Sequence, residues 1–125
     1  MDVKDQIRLN RKQNEILETV TFKYIAAYLI RDKVINNEEF QLITLNPTTQ
    51  SQMDVFLKLL VTKNSAFNYF ISSLEEDYLW LAEDLKNQAV SDQDIENFHK
   101  NLEHKQYFNN INNATHHIYS PKVKG

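Results

Sequence analysis

Glycine occurs once in this chain, at position 125, and proline twice, at Pro47 and Pro121. Chain reversals between strands use residues that tolerate left-handed or fixed backbone angles, so a sheet-rich fold of this size draws heavily on both. Their near absence leaves helices joined by short polar links. At 125 residues the chain has room for one core and a modest tail.

The apolar residues repeat with the helical period. In the stretch 53–61 they fall at Met53, Phe56, Leu57, Leu60 and Val61, the i, i+3, i+4, i+7, i+8 stripe of a helix that buries one face. Ahead of it, a first helix is expected from about Asp2 to Thr19, with a bend or break in its polar middle between Asn10 and Glu15. Thr21 is positioned to cap a second helix carrying Phe22, Ile25, Ala26, Leu29 and Ile30. Asn36 or Asn37 caps a short third helix opened by Glu38 and Glu39, whose core side is Phe40, Ile43 and either Leu42 or Leu45. Pro47 closes it, and Thr48 or Thr49 starts the fourth helix, the one with the 53–61 stripe.

Asn64 divides that helix from a fifth bearing Phe67, Phe70, Ile71 and Leu74, and Asp77 opens a sixth with Tyr78, Leu81, Ala82 and Leu85. The short links favour antiparallel neighbours. The expected fold is therefore all-α, a six-helix antiparallel bundle. Residues 1–87 form its domain, and 88–125 form a polar extension rich in Asn, Gln, Lys and His. Within that extension Ser91 and Asp94 read as a capping pair for a seventh, amphipathic helix over about 91–104, and the chain beyond is expected to be a disordered linker.

Several function classes fall away. The net charge is −3 and the pI about 5.8, the wrong balance for a nucleic-acid or membrane-surface binder. There is no cysteine, which removes disulfides, thiolate metal sites and cysteine nucleophiles from consideration. His99, His104, His116 and His117 do not have zinc-ligand spacing, so no metal or other cofactor is expected. No glycine-rich phosphate loop or Ser/His/acid arrangement stands out, and the chain does not read as an enzyme. The first residues lack the apolar core of a signal peptide and no apolar run reaches the roughly 20 residues of a membrane span, so a soluble, cytoplasmic protein is expected. On that footing the sequon Asn113-Ala114-Thr115 is a chance match.

The order of segments resembles the caspase recruitment domain, a six-helix Greek-key member of the death-fold superfamily. The likeness is carried by Tyr28 to Phe40, by Asn46-Pro47-Thr48 with Phe56-Leu57-Lys58-Leu59-Leu60, and by Phe70 to Glu76 followed by Leu79-Trp80-Leu81-Ala82-Glu83-Asp84-Leu85. It covers roughly residues 4–87, and its weight lies in order and spacing together. The resemblance implies a non-catalytic module that binds another domain of its own kind, assembles into oligomers or filaments, and drives proximity activation of an initiator caspase in apoptosis or inflammation. A caspase prodomain is the first form of that role; a recruitment-domain-only adaptor or decoy and the N-terminal module of an apoptosome-like scaffold are the others.

The resemblance also implies a pairing of faces, basic on the first and fourth helices and acidic on the second and third. Arg8, Arg11, Lys12 and Lys58 supply the basic side here, and Asp32, Glu38 and Glu39 the acidic side. Gln13, Gln50 and Gln52 stand where strongly basic members carry cations, and Ala27 where receptor-like members carry an acid, so both faces are diluted. An ordinary solvated helix surface explains Arg8, Arg11 and Lys12 equally well. Glu75, Glu76 and Asp77 read as helix-start electrostatics, with a partner-facing turn as the alternative. Tyr24, Tyr28, Tyr69 and Trp80 lie off the apolar stripes. Gap-filling in the bundle is their ordinary role, and an exposed Tyr69 or Trp80 would make a binding anchor.

Overall fold

The computed structural model describes residues 1–102. Seven helices build the first unit, Met1–Val90: α1 (Val3–Arg11), α2 (Gln13–Thr19), α3 (Phe22–Arg31), α4 (Asn37–Thr44), α5 (Thr49–Leu60), α6 (Phe67–Leu74) and α7 (Leu79–Asn87). A second unit begins at Ser91. Its described part is helical over 92–102, and Ser91 opens it with a reciprocal cap: the Ser91 N–H donates to Asp94 Oδ2 at 2.9 Å and the Asp94 N–H to Ser91 Oγ at 3.1 Å. The expected end of this helix near His104 and the linker after it lie outside the described residues. Among the described residues there is no strand.

The expected first helix is two helices. Lys12, at φ −111° and ψ 11°, leaves helical geometry between α1 and α2, within the polar stretch where the apolar stripe lapses. With no apolar contact demanded at Asn10 to Glu15, the chain is free to turn, and Leu9 of α1 and Ile16 of α2 both join the core on either side of the break.

The α3 helix ends in a hydrogen-bonded reversal. The Lys33 N–H donates to Ile30 O at 3.0 Å and the Val34 N–H to Leu29 O at 2.8 Å, with Lys33 left-handed at φ 61°. This is a Schellman cap in which lysine occupies the position usually given to glycine. Val34 and Leu29 are both buried beneath it, supplying the apolar contact that accompanies the motif.

The α4 helix opens on a capping box: Asn36 Oδ1 accepts from the Glu39 N–H at 2.8 Å, and Glu39 Oε1 accepts from the Asn36 N–H at 3.0 Å. Thr48 and Ser51 form the corresponding box at α5. At α3 the cap differs from expectation, since the Thr21 side chain makes no cap bond and its N–H instead donates to the Tyr78 hydroxyl at 3.1 Å. Likewise Tyr78, not Asp77, is the N-cap residue of α7.

Packing joins helices distant in sequence, α3 with α6 and α2 with α5, while α1 rests against α7. A line of phenylalanines crosses the centre. Phe22 stands 6.1 Å from Phe40 and 5.5 Å from Phe56, and Phe56 stands 5.6 Å from Phe70, all tilted pairs. These spacings are the favoured ones for aromatic rings. Of the α5 stripe, Met53, Phe56, Leu57 and Leu60 are buried, and Val61 is partly buried at its end. Each such side chain contributes roughly 1.5–3 kcal/mol on burial.

Candidate functional site

Three of the basic candidates, Arg8, Arg11 and Lys12, lie in or just after α1, and each is held in contacts within the domain. Arg8 pairs with Asp5 at 2.7 Å and donates through Nε to the carbonyl of Gln88 at 3.1 Å. Gln88 returns a bond from Nε2 to the Arg8 carbonyl at 3.2 Å. Arg11 donates to the carbonyl of Ala89 at 2.8 Å. These two arginines bind the exit of α7 to α1, joining positions about 80 residues apart. Lys12 lies between Glu15, at 3.4 Å, and Asp84 of α7, at 3.7 Å.

Lys58 is on another helix, α5, with its side chain 76% exposed and a single i, i+4 pair to Asp54 at 3.0 Å. Such a pair is worth about 0.3–0.5 kcal/mol, and the ammonium keeps further donors for a partner. Between α5 and the α1–α2 junction runs an open groove of ≈ 140 Å³. Leu9, Leu57 and Val61 form its apolar side, and Asn10, Gln13 and Lys58 are on its edge.

The acidic candidates divide similarly. Asp32 is held side-on by Arg31, at 3.1 and 3.2 Å, and the Arg31 guanidinium also lies 5.3 Å over the Tyr28 ring. The Tyr28 hydroxyl donates to Glu76 at 2.7 Å, and that bond holds the phenol above its ordinary range. Glu39, besides its cap, accepts from Lys63 at 2.8 Å. This hydrogen bond is the main reason the Glu39 carboxyl titrates below the usual glutamate range; partial desolvation opposes it and the Asn36 N–H reinforces it. Glu38 alone of the seven candidates has no ion pair or side-chain hydrogen bond among the described residues, and it is exposed.

One expectation for α4 is overturned. Neither Leu42 nor Leu45 belongs to the core: they are 51% and 80% exposed, whereas Ile43 is fully buried and Phe40 packs partly against the core. With Ile43 and Phe40 turned to the core, positions 38, 42 and 45, an i, i+4, i+7 row, face solvent. The signal was present in the sequence as this second row, offset from Phe40 and Ile43.

The off-stripe aromatics are exposed at Tyr24, Tyr69 and Trp80, with Leu79 beside Trp80 in the first turn of α7. Glu75, Glu76 and Asp77 are exposed in the α6–α7 turn, and no side chain caps α7. Among the described residues no group of three or more His, Cys, Asp or Glu is placed to hold a metal, and no helix is long and apolar enough to cross a membrane.

Met1–Val90 is thus a bundle of seven short helices with α1 packed against α7. The family model for the caspase recruitment domain matches residues 6–88, and the chain belongs to that family. Residues 6–88 are accordingly a homotypic protein-protein interaction module, a domain type without catalytic function. No curated protein and no solved structure gives a significant match.

Proposed function

We propose that this chain recruits, or is recruited by, another caspase recruitment domain in the cytoplasm, and that the resulting assembly activates an initiator caspase by proximity, the chain serving as the caspase's prodomain. The family match over residues 6–88 carries this reading. The faces proposed for the contact are the basic one, with Arg8, Arg11, Lys12 and Lys58, and the acidic one, with Asp32, Glu38 and Glu39. Lys58 and Glu38 have the most freedom to bind across an interface, because the other five are drawn into contacts within the domain. Complementary charge at such a contact raises the association rate and sets orientation more than it raises affinity.

The test is assembly of the full chain, alone and mixed with a caspase's recruitment domain, followed by light scattering and negative-stain microscopy. Recruitment predicts joint oligomers whose formation slows with added salt. A chain that neither assembles nor changes the partner's assembly overturns the proposal, and one that only stops the growth of the partner's filaments identifies a decoy.

A further inference from the structure

Among the described residues two have left-handed backbones without being glycine, Lys33 at φ 61° and Ser65 at φ 58°. Both turns border one open cavity of ≈ 280 Å³: Lys33 lines it, and Ser65 sits between two lining residues, Asn64 and Ala66. Val34, Lys63 and Tyr69 complete the lining with Asp32; Val34 and Ala66 are buried, and Tyr69 is 48% exposed. We propose that this cavity binds a small phosphorylated ligand with a planar ring, of the nucleoside monophosphate class, its phosphate on Lys33, Lys63 and Asn64 and its ring against Tyr69. The site lies outside the basic face proposed for recruitment and stands or falls independently of it.

The charges at the cavity leave a cation over. Asp32 is paired with Arg31 at 3.1 Å, and Lys63 with Glu39 at 2.8 Å. Among the described residues the Lys33 ammonium and the Asn64 amide make no ion pair or side-chain hydrogen bond. An ammonium has three donors, so Lys63 keeps two beyond its bond to Glu39. The lining is therefore net positive and supplied with unused donors, the complement of a phosphate. A helix dipole favours a cation just past a helix end, and both lysines follow such an end. The dipole does not account for the backbone. Position 33 is the left-handed residue of the Schellman turn, where glycine or asparagine fits with less strain, and a lysine in the last turn of α3 would meet the dipole without it. Strain retained at both turns of one cavity gives the Lys33 side chain a use that folding does not supply. Tyr69 contributes the second half of the site, since it stands off the apolar stripe of α6 and offers a ring face on which any base stacks. The volume lies just under the usual range for ligand pockets, about 300–1,000 Å³, which suits one small ligand.

The experiment titrates the full chain with AMP, with inorganic phosphate and with adenosine, by calorimetry and by amide chemical shifts. AMP should bind with a Kd on the order of 1 mM or tighter, and more tightly than either fragment. The shifts that move should be those of Lys33, Asn64 and Tyr69. Lys33→Asn and Lys33→Gly suit the left-handed angle, so each should keep or raise the melting temperature of the free protein while weakening AMP roughly tenfold or more, the loss of one charge-assisted contact. Tyr69→Ala, at an exposed position, should weaken AMP and leave inorganic phosphate unchanged. Saturating AMP should raise the melting temperature of the wild type and not that of Lys33→Asn. No binding of AMP up to about ten times that Kd overturns the proposal. So does AMP binding that Lys33→Asn leaves unchanged, or adenosine binding as tightly as AMP. Shifts of the wild-type protein confined to other residues overturn the site whatever the variants do.

Discussion

Replacing Glu39 by glutamine isolates one interaction of a side chain that makes two. Its carboxylate accepts from the Asn36 N–H at 3.0 Å and from the Lys63 ammonium at 2.8 Å. Glutamine retains an oxygen for the cap and loses the charge. The two side chains of the ion pair are 22% and 26% exposed, so solvent screens the pair in part, and its loss should cost about 1 kcal/mol, the upper end for surface pairs. Glu39→Ala removes the cap contact as well and should cost about 2 kcal/mol in total. Because Lys63 depresses the Glu39 carboxyl, the unfolded chain binds the proton more readily than the folded one. The stabilisation is therefore complete above the ordinary glutamate value of 4.5 and is lost as pH falls through the lowered folded value. Urea unfolding of the full chain and of Glu39→Gln, followed by circular dichroism from pH 7 downward, reads this directly. The two curves should differ at pH 7 by a melting-temperature equivalent of about 5 °C and converge in acid. A difference that persists undiminished well below pH 4.5, or no difference at pH 7, refutes the electrostatic account.

Two further substitutions test the packing. Ile43→Ala should destabilise the domain by about 2–5 kcal/mol and Leu45→Ala by no more than about 0.5 kcal/mol, although they sit two residues apart, Ile43 in the last turn of α4 and Leu45 as its C-cap; denaturant midpoints that fail to separate the pair would place α4 in a different phase. Lys33→Gly should raise stability by about 0.5–1 kcal/mol, since glycine adopts the left-handed angle at φ 61° without a Cβ clash; an unchanged or lower melting temperature would argue that the Lys33 side chain contributes more than its backbone strain costs.

What could be read in the sequence was what depends on near neighbours. The stripe Met53, Phe56, Leu57 and Leu60 is a property of spacing, and it predicts both the α5 helix and its buried face. Asn36 with Glu39 three residues on is a local cap, and so is Ser91 with Asp94. The break at Lys12 follows from a missing apolar contact in the same window. Expectation and structure part where a distant group decides. The Thr21 N–H finds its partner in the Tyr78 hydroxyl, 57 residues away, which no local pattern announces. Spacing alone lets either Leu42 or Leu45 complete the core side of α4, and both are exposed because Ile43 and Phe40 take the positions that face the other helices. Nothing near Arg8 in the chain announces that the Gln88 carbonyl will meet it.

That last contact bears on how a dilute charge pattern can still direct assembly. Arg8 and Arg11 fasten the chain leaving α7 to α1, so the cations that would make the broadest basic patch also hold the first and last helices of the domain together. A partner competing for them must loosen that closure, at the cost of the hydrogen bonds to Gln88 and Ala89. A partner that uses Lys58 and the groove beside it meets no such cost, because Lys58 gives up one screened surface pair at most. If the basic face is the one used, as proposed, recognition through Lys58 therefore costs the domain fewer of its own contacts than recognition through the arginines of α1.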